Sequence, residues 1–155
     1  MPQRLHKWRE RLAIVIGEHR SARVAVDRLK LGAIAVPPQI PRDDPACKYL
    51  RQADENLEGT YLVRLFASFE AALRSYDRTT HNDPARETKA GTMIDEIAGK
   101  RGRRIALSIR VDAHEVRELR NYWAHEQDEM PKQIPIEEAR ARLETYLNEL
   151  PQSWG

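Results

Sequence analysis

The residues in this chain best equipped for chemistry lie together in Arg120-Asn121-Tyr122-Trp123-Ala124-His125, inside a segment from Val111 to Glu126 that also carries His114, Arg117 and Glu118. Histidine titrates near neutrality and can move a proton. Arginine presents a planar fork of donors that holds charge on developing oxyanions. Asparagine can orient the imidazole or a phosphate oxygen. Such a trio suits phosphate-ester chemistry without a metal. RNA supplies its own nucleophile, the 2′-hydroxyl, so no metal-bound water is required.

Metal and cofactor chemistry have little to build on. His114 and His125 are eleven residues apart, three turns along one helix and too far to share an ion. A His-Glu-x-x-His pattern is lacking, as are a glycine-rich phosphate loop, a dinucleotide fingerprint and a Gly-x-Ser-x-Gly elbow. Cys47 is the single cysteine. It excludes an internal disulfide, cannot by itself supply a metal cluster, and reads as a half-buried packing residue. No metal and no cofactor are expected.

The segment around the trio reads as a helix. Asp112 and Glu115 have the spacing of a capping box and place its start. Val116, Leu119 and Trp123 then form a buried stripe. His114, Glu118, Asn121 and His125 form a second stripe roughly opposite, with Arg117 beside it. Arg120 lies at the margin of the apolar stripe, about 140° around an ideal helix from His125. One straight helix cannot easily aim both at a single atom. They can converge if the helix ends near Ala124, or if a second copy of the helix faces the first.

The elements that must hold this helix are legible in part. Leu5, Trp8, Leu12, Val15, His19, Ala22, Val26 and Leu29 alternate spacings of three and four, which predicts one long helix over residues 2–31 with a heptad seam. His19 on that seam reads as a core histidine. Residues 36–45 are a proline-rich connector within one domain. Asp44 and Pro45 then mark the start of a second helix over 45–79, with a bend near Gly59. Its face of Leu62, Leu65, Phe66, Phe69, Leu73 and Tyr76 is the expected centre of the core. Glu70 stands at the edge of that face, within reach of Arg74. Residues 79–84 form a turn with an exposed His81, and 86–98 a weaker helix through Met93, Ile94 and Ile97. Residues 99–104 are a basic loop, in which Lys100, Arg101, Arg103 and Arg104 could meet phosphates. Residues 105–109 are either one helical turn or a short extended piece. A last helix over 136–150 buries Ile136, Leu143, Leu147 and Leu150. Trp154, in the tail of 151–155, covers an end of the bundle. The class is all-α, a bundle of four to five helices in a single domain over 1–155.

Bulk composition agrees with a globular chain: 155 residues, 32% charged and 41% hydrophobic. A formal net charge of +2 announces no global nucleic-acid field, so any basic partner surface must be local. No signal peptide and no apolar run of membrane-crossing length stands out, which points to the cytoplasm and away from membranes.

Arg120-Asn-Tyr-Trp-Ala-His125 resembles the Arg-polar-x-x-x-His motif of the HEPN superfamily (higher eukaryotes and prokaryotes nucleotide-binding), small α-helical bundles of about this length. Glu118-Leu-Arg-Asn-x-x-Ala-His-Glu126 and Phe66-x-x-Phe-Glu-x-x-Leu-Arg74 resemble its bacterial members. The resemblance covers the chain from about Ala46 onward. It implies a metal-independent endoribonuclease of toxin–antitoxin or other defence systems, acting as a homodimer in which both motifs line one cleft. Residue by residue, it implies that Arg120 stabilises the phosphate, Asn121 orients and His125 is the general acid or base, with products ending in 2′,3′-cyclic phosphate and 5′-hydroxyl. Glu70 matches an acidic supporting residue of some members, and Arg117 and Glu118 are further supporting candidates. Members paired with a nucleotidyltransferase antitoxin often carry a tyrosine two residues after the histidine. Here that residue is Gln127, which puts tyrosine-directed modification in question. The alternative is a non-catalytic helical module of the same kind that binds nucleotide, RNA or a protein partner. A helix-turn-helix DNA binder is disfavoured by the mixed charges on the motif helix and by the small net charge.

Overall fold

Two long helices frame the molecule in the computed structural model, which describes residues 3–41, 43–100, 104–125 and 129–155. Helix α1 runs over Leu5–Ile34 and α2 over Pro45–His81. Glu18 pairs with Arg64, whereas Arg23 and Lys30 both pair with Asp54. Numbers rising on α1 meet numbers falling on α2, so the helices are antiparallel. Asp44 caps α2 by accepting from the Ala46 N–H at 2.8 Å, with Pro45 in the first turn, as the sequence predicts.

The heptad seam of α1 holds only in part. Leu5, Trp8, Leu12, Val15 and His19 are buried, Ala22 and Val26 are half-buried, and Leu29 is 42% exposed. Beyond His19 the link to α2 is ionic, through Asp54, and aliphatic side chains such as Leu31 and Ile34 face solvent. The predicted face of α2 is buried throughout, from Leu62 to Tyr76.

The bend expected at Gly59 is replaced by a close approach. α2 continues without interruption through Gly59, and a Cβ there would overlap the indole of Trp123. The glycine makes room for another helix to press against the backbone.

The remaining helices are α3 (Ala90–Gly99), α4 (Leu107–Ala124) and α5 (Ile136–Asn148). The turn before α3 is tied back to α2 by Asp77, which is 1% exposed. Its Oδ2 accepts from Arg86 Nε at 2.8 Å and from Thr88 Oγ1 at 3.1 Å, and His81 Nδ1 lies 3.0 Å from Oδ1. With Arg86 and Thr88 turned toward Asp77, α3 starts at Ala90, later than predicted. α4 starts earlier than predicted, at Leu107. Asp112 and Glu115 therefore lie inside it and form no capping box. Both face Arg142 of α5 instead, and Arg142 beside Glu115 holds that carboxyl below its usual range.

On α5 the predicted Ile136, Leu143, Leu147 and Leu150 are all buried. Glu58 of α2 accepts from the Ile136 N–H at 3.0 Å and so caps α5 from across the bundle. Tyr146, which the sequence did not single out, is fully buried and donates to the Ile94 carbonyl at 2.7 Å. The chain ends in a two-residue antiparallel ribbon, β1 (Gln3–Arg4) with β2 (Ser153–Trp154), where no strand was expected. Trp154 is buried there against Tyr76 and donates to Ser75 Oγ at 3.1 Å. Among the described residues, the architecture is an all-α bundle of five helices. Among the described residues, no helix is long and apolar enough to cross a membrane.

Two measurements test this packing. Gly59→Ala, which in an ordinary helix interior would stabilise, is expected to cost about 1–3 kcal/mol in urea unfolding through overpacking. In a Trp123→Ala background most of that cost should vanish. His19 is 9% exposed, stands edge-on to Tyr61, and has both ring nitrogens buried without a partner. Burial lowers its pKa from 6.5, the nearby Glu58 opposing and Arg23 adding to the effect. The unfolded chain then takes up a proton that the folded chain refuses. Stability should fall as pH drops below about 6.5, and His19→Leu should flatten that slope in unfolding midpoints measured across pH.

Candidate functional site

The trio is built on the last turns of α4, and α2 determines how those turns lie. Ala113, Val116 and Leu119 are buried, and Trp123 packs against Gly59. Rotated by that packing, Arg120 turns toward α2. Its guanidinium lies 5.0 Å from the Phe66 ring centroid, donates from Nη2 to Glu70 Oε2 at 3.0 Å, and donates from Nη1 to Asn121 Oδ1 at 3.0 Å. The other oxygen of Glu70 accepts from Arg74 Nη2 at 2.7 Å. One carboxylate thus holds two guanidiniums, at 20% exposure for Glu70 and 23% for Arg120. The Glu70–Arg74 pair was legible in the sequence; the bond from Glu70 to Arg120 joins residues fifty positions apart and was not.

α4 ends at Ala124. His125 leaves it in extended backbone, at φ −136° and ψ 143°, with its N–H still bonded to the Asn121 carbonyl at 3.0 Å. Its imidazole is exposed and makes no hydrogen bond or ion pair with the described residues. Arg120 makes its contacts with Glu70, Asn121 and Phe66, and none with His125. Arg120 and Asn121 line a cleft of about 500 Å³, and His125 is not among its walls.

That cleft lies between α2, α3 and α4. Glu70 and Arg74 form one wall and Arg117, Arg120 and Asn121 another. Lys89 and Gly91, at the start of α3, form the third, and Glu87 stands on the same segment. Sequence reasoning did not reach the α3 wall. It is brought in by Asp77 through Arg86 and Thr88, and no periodic pattern announces such a tether.

The other candidates separate. Arg117 lines the cleft. Glu118 is exposed and shares with Asn121 a different hollow of about 330 Å³, closed by Glu129, Met130 and Pro131. His114 binds Asp95 of α3 at 3.0 Å and stands apart from the trio. Lys100 rests 5.9 Å from the Tyr76 ring centroid, and Arg104 lines a hollow beside Arg110. Neither lines the Arg120 cleft. Arg101 and Arg103, like Gln127, lie outside the described residues. Among the described residues, no three His, Cys, Asp or Glu side chains group as ligands for a metal ion.

The shared carboxylate has a measurable consequence. Glu70→Ala leaves Arg74 and Arg120 close together with nothing between them, and is expected to cost about 1–3 kcal/mol in chemical unfolding. Arg120→Ala should cost distinctly less in that background than in the parent chain; equal costs would mean that the pair is not coupled.

No family model matches this chain, and no curated protein or solved structure matches it.

Proposed function

We propose that this chain is a metal-independent endoribonuclease of the HEPN type, working as a pair of copies. The observation that carries this reading is the division of labour at the end of α4. Arg120 is fixed by Glu70 and Asn121 beside a cleft, while His125, five residues on, follows the helix end as an exposed imidazole that pairs with none of the described residues. A second copy meeting the first at this end can bring His125 toward the partner's arginine. The 2′-oxygen of the RNA attacks the adjacent phosphorus, and the bond to the 5′-oxygen breaks. His125 takes the proton from the nucleophile or gives one to the leaving oxygen. Arg120 holds the charge that builds on the non-bridging oxygens. The ends are a 2′,3′-cyclic phosphate and a 5′-hydroxyl. By the same resemblance, the setting is a cytoplasmic toxin–antitoxin or defence system, and a protein antitoxin is a natural partner for the exposed end of α4.

One observation favours a second reading, a non-catalytic module that binds nucleotide, RNA or protein. The Arg120 guanidinium is already engaged on Glu70, Asn121 and the Phe66 ring, and His125 stands outside the cleft. In that case Arg120 is a structural residue and His125 a surface one.

RNA digestion in chelator separates the two. The parent chain should cut and leave 2′,3′-cyclic phosphate ends. His125→Ala should lower the rate by at least about a hundredfold, as loss of a general acid or base does, with the unfolding midpoint unchanged. No cleavage by the parent, or undiminished cleavage by His125→Ala, would rule the nuclease reading out.

A further inference from the structure

Arg117 sits in electrostatic company that needs an anion. Its guanidinium lies over the first turn of α3, so close that a Cβ on Gly91 would stand 2.8 Å from Nη1. Its Nε is buried without a hydrogen-bond partner, and no described residue forms an ion pair with it. The surface beneath it is positive as well. The N-terminal end of a helix carries partial positive charge. In α3 that end has no side-chain cap and no acidic residue in its first turn, and the residue before it is Lys89. A cation therefore rests on the positive end of a helix, beside another cation.

The nearest carboxylates do not relieve this. Glu70 already serves Arg74 and Arg120. Glu87 lies on the cleft wall and pairs with none of the cleft's cations. Four side-chain cations, Arg74, Lys89, Arg117 and Arg120, share the cleft of about 500 Å³ with these two carboxylates. The excess of two positive charges in one cavity equals the formal net charge of the whole chain, +2. The volume holds a tetrahedral oxyanion with room for the groups it bridges.

We infer that the cleft between α4 and the start of α3 is a phosphate-binding subsite, with Arg117 as its anchor and Lys89 and Arg120 at its sides. Arg117 supplies a fork of donors to the phosphate oxygens, and the free N–H groups of the first α3 turn supply more. Gly91 lets the guanidinium and the anion approach the helix backbone. The phosphate comes either from a nucleic-acid strand or from a free or terminal phosphate. The subsite does not depend on the chain being a nuclease, since a binding module would use it equally.

The test is calorimetric titration of the full chain with inorganic phosphate, with pyrophosphate, and with a short 2′-deoxy oligonucleotide that cannot be cleaved. At least one should bind saturably. Arg117→Gln should weaken that binding roughly tenfold or more, the loss of one charge-assisted fork. Arg51→Gln, which removes an exposed cation far along α2, should not. Gly91→Asp places a carboxylate where the phosphate would lie, and should abolish binding while raising the thermal midpoint. That variant keeps the question open to refutation if Arg117→Gln folds poorly. Inorganic anions binding alone identify a free or terminal phosphate as the ligand, and the oligonucleotide binding alone identifies a strand phosphate. If none of the three binds saturably, if Arg117→Gln and Arg51→Gln behave alike, or if Gly91→Asp retains the parent affinity, the subsite does not exist. Cleavage enters none of these readings, so the result stands apart from the nuclease question.

Discussion

The indole of Trp123 occupies the space that a side chain at Gly59 would need, and farther along the same pair of helices Arg120 reaches Glu70. These two contacts fix the rotation and the height of α4 on α2. Tight interiors do not deform continuously, so with the indole in its slot α4 has little freedom to turn. Arg120 is thereby committed to the α2 side, and the end of α4 is left to point elsewhere. The position of His125 beyond the helix terminus follows from where α4 stops, at Ala124. Every chemical possibility at this site derives from that anchoring.

The electrostatics of the bundle show a graded use of carboxylates. Asp77 is almost wholly buried, and its Oδ2 is matched by Arg86 and Thr88, the partners a buried charge requires. Glu70, partly exposed, is shared by two arginines. Arg142 is surrounded by Glu138 of its own helix and by Asp112 and Glu115 of α4, and the last two bind α5 to α4 toward the start of the motif helix. Arg117, by contrast, pairs with no described carboxylate and lies over the positive end of α3, which is why it points to a ligand outside the chain.

Much of the fold was legible because burial leaves periodic marks. The apolar face of α2 from Leu62 to Tyr76 and that of α5 from Ile136 to Leu150 needed only spacing, and Asp44-Pro45 marked a helix start by local chemistry. What was missed depends on partners distant in sequence. Asp112 and Glu115 mimic a capping box, but their partner Arg142 lies on α5. Gly59 suggests a weak point in a helix until Trp123 is placed against it. The seam of α1 continues in the sequence past His19, but the apolar packing does not follow it. At the site, the Arg-Asn-His trio was visible as a motif, but the spacing put His125 on a helical stripe with His114, Glu118 and Asn121, and it lies beyond the helix in extended backbone. The α3 wall was not visible, because Asp77, Arg86 and Thr88 make a tether without periodicity. The ribbon of Gln3–Arg4 with Ser153–Trp154 is too short for strand alternation to show.

In the proposed pair of copies, Arg120 of one chain and His125 of the other complete each site. Mixing two inactive variants, Arg120→Ala and His125→Ala, tests this most directly. If each site takes its arginine from one copy and its histidine from the other, half of the randomly mixed dimers carry one intact site of two. RNA cleavage should return to about a quarter of the parent rate. A mixture that exchanges subunits and stays silent, beside a parent chain that cuts, would contradict the account.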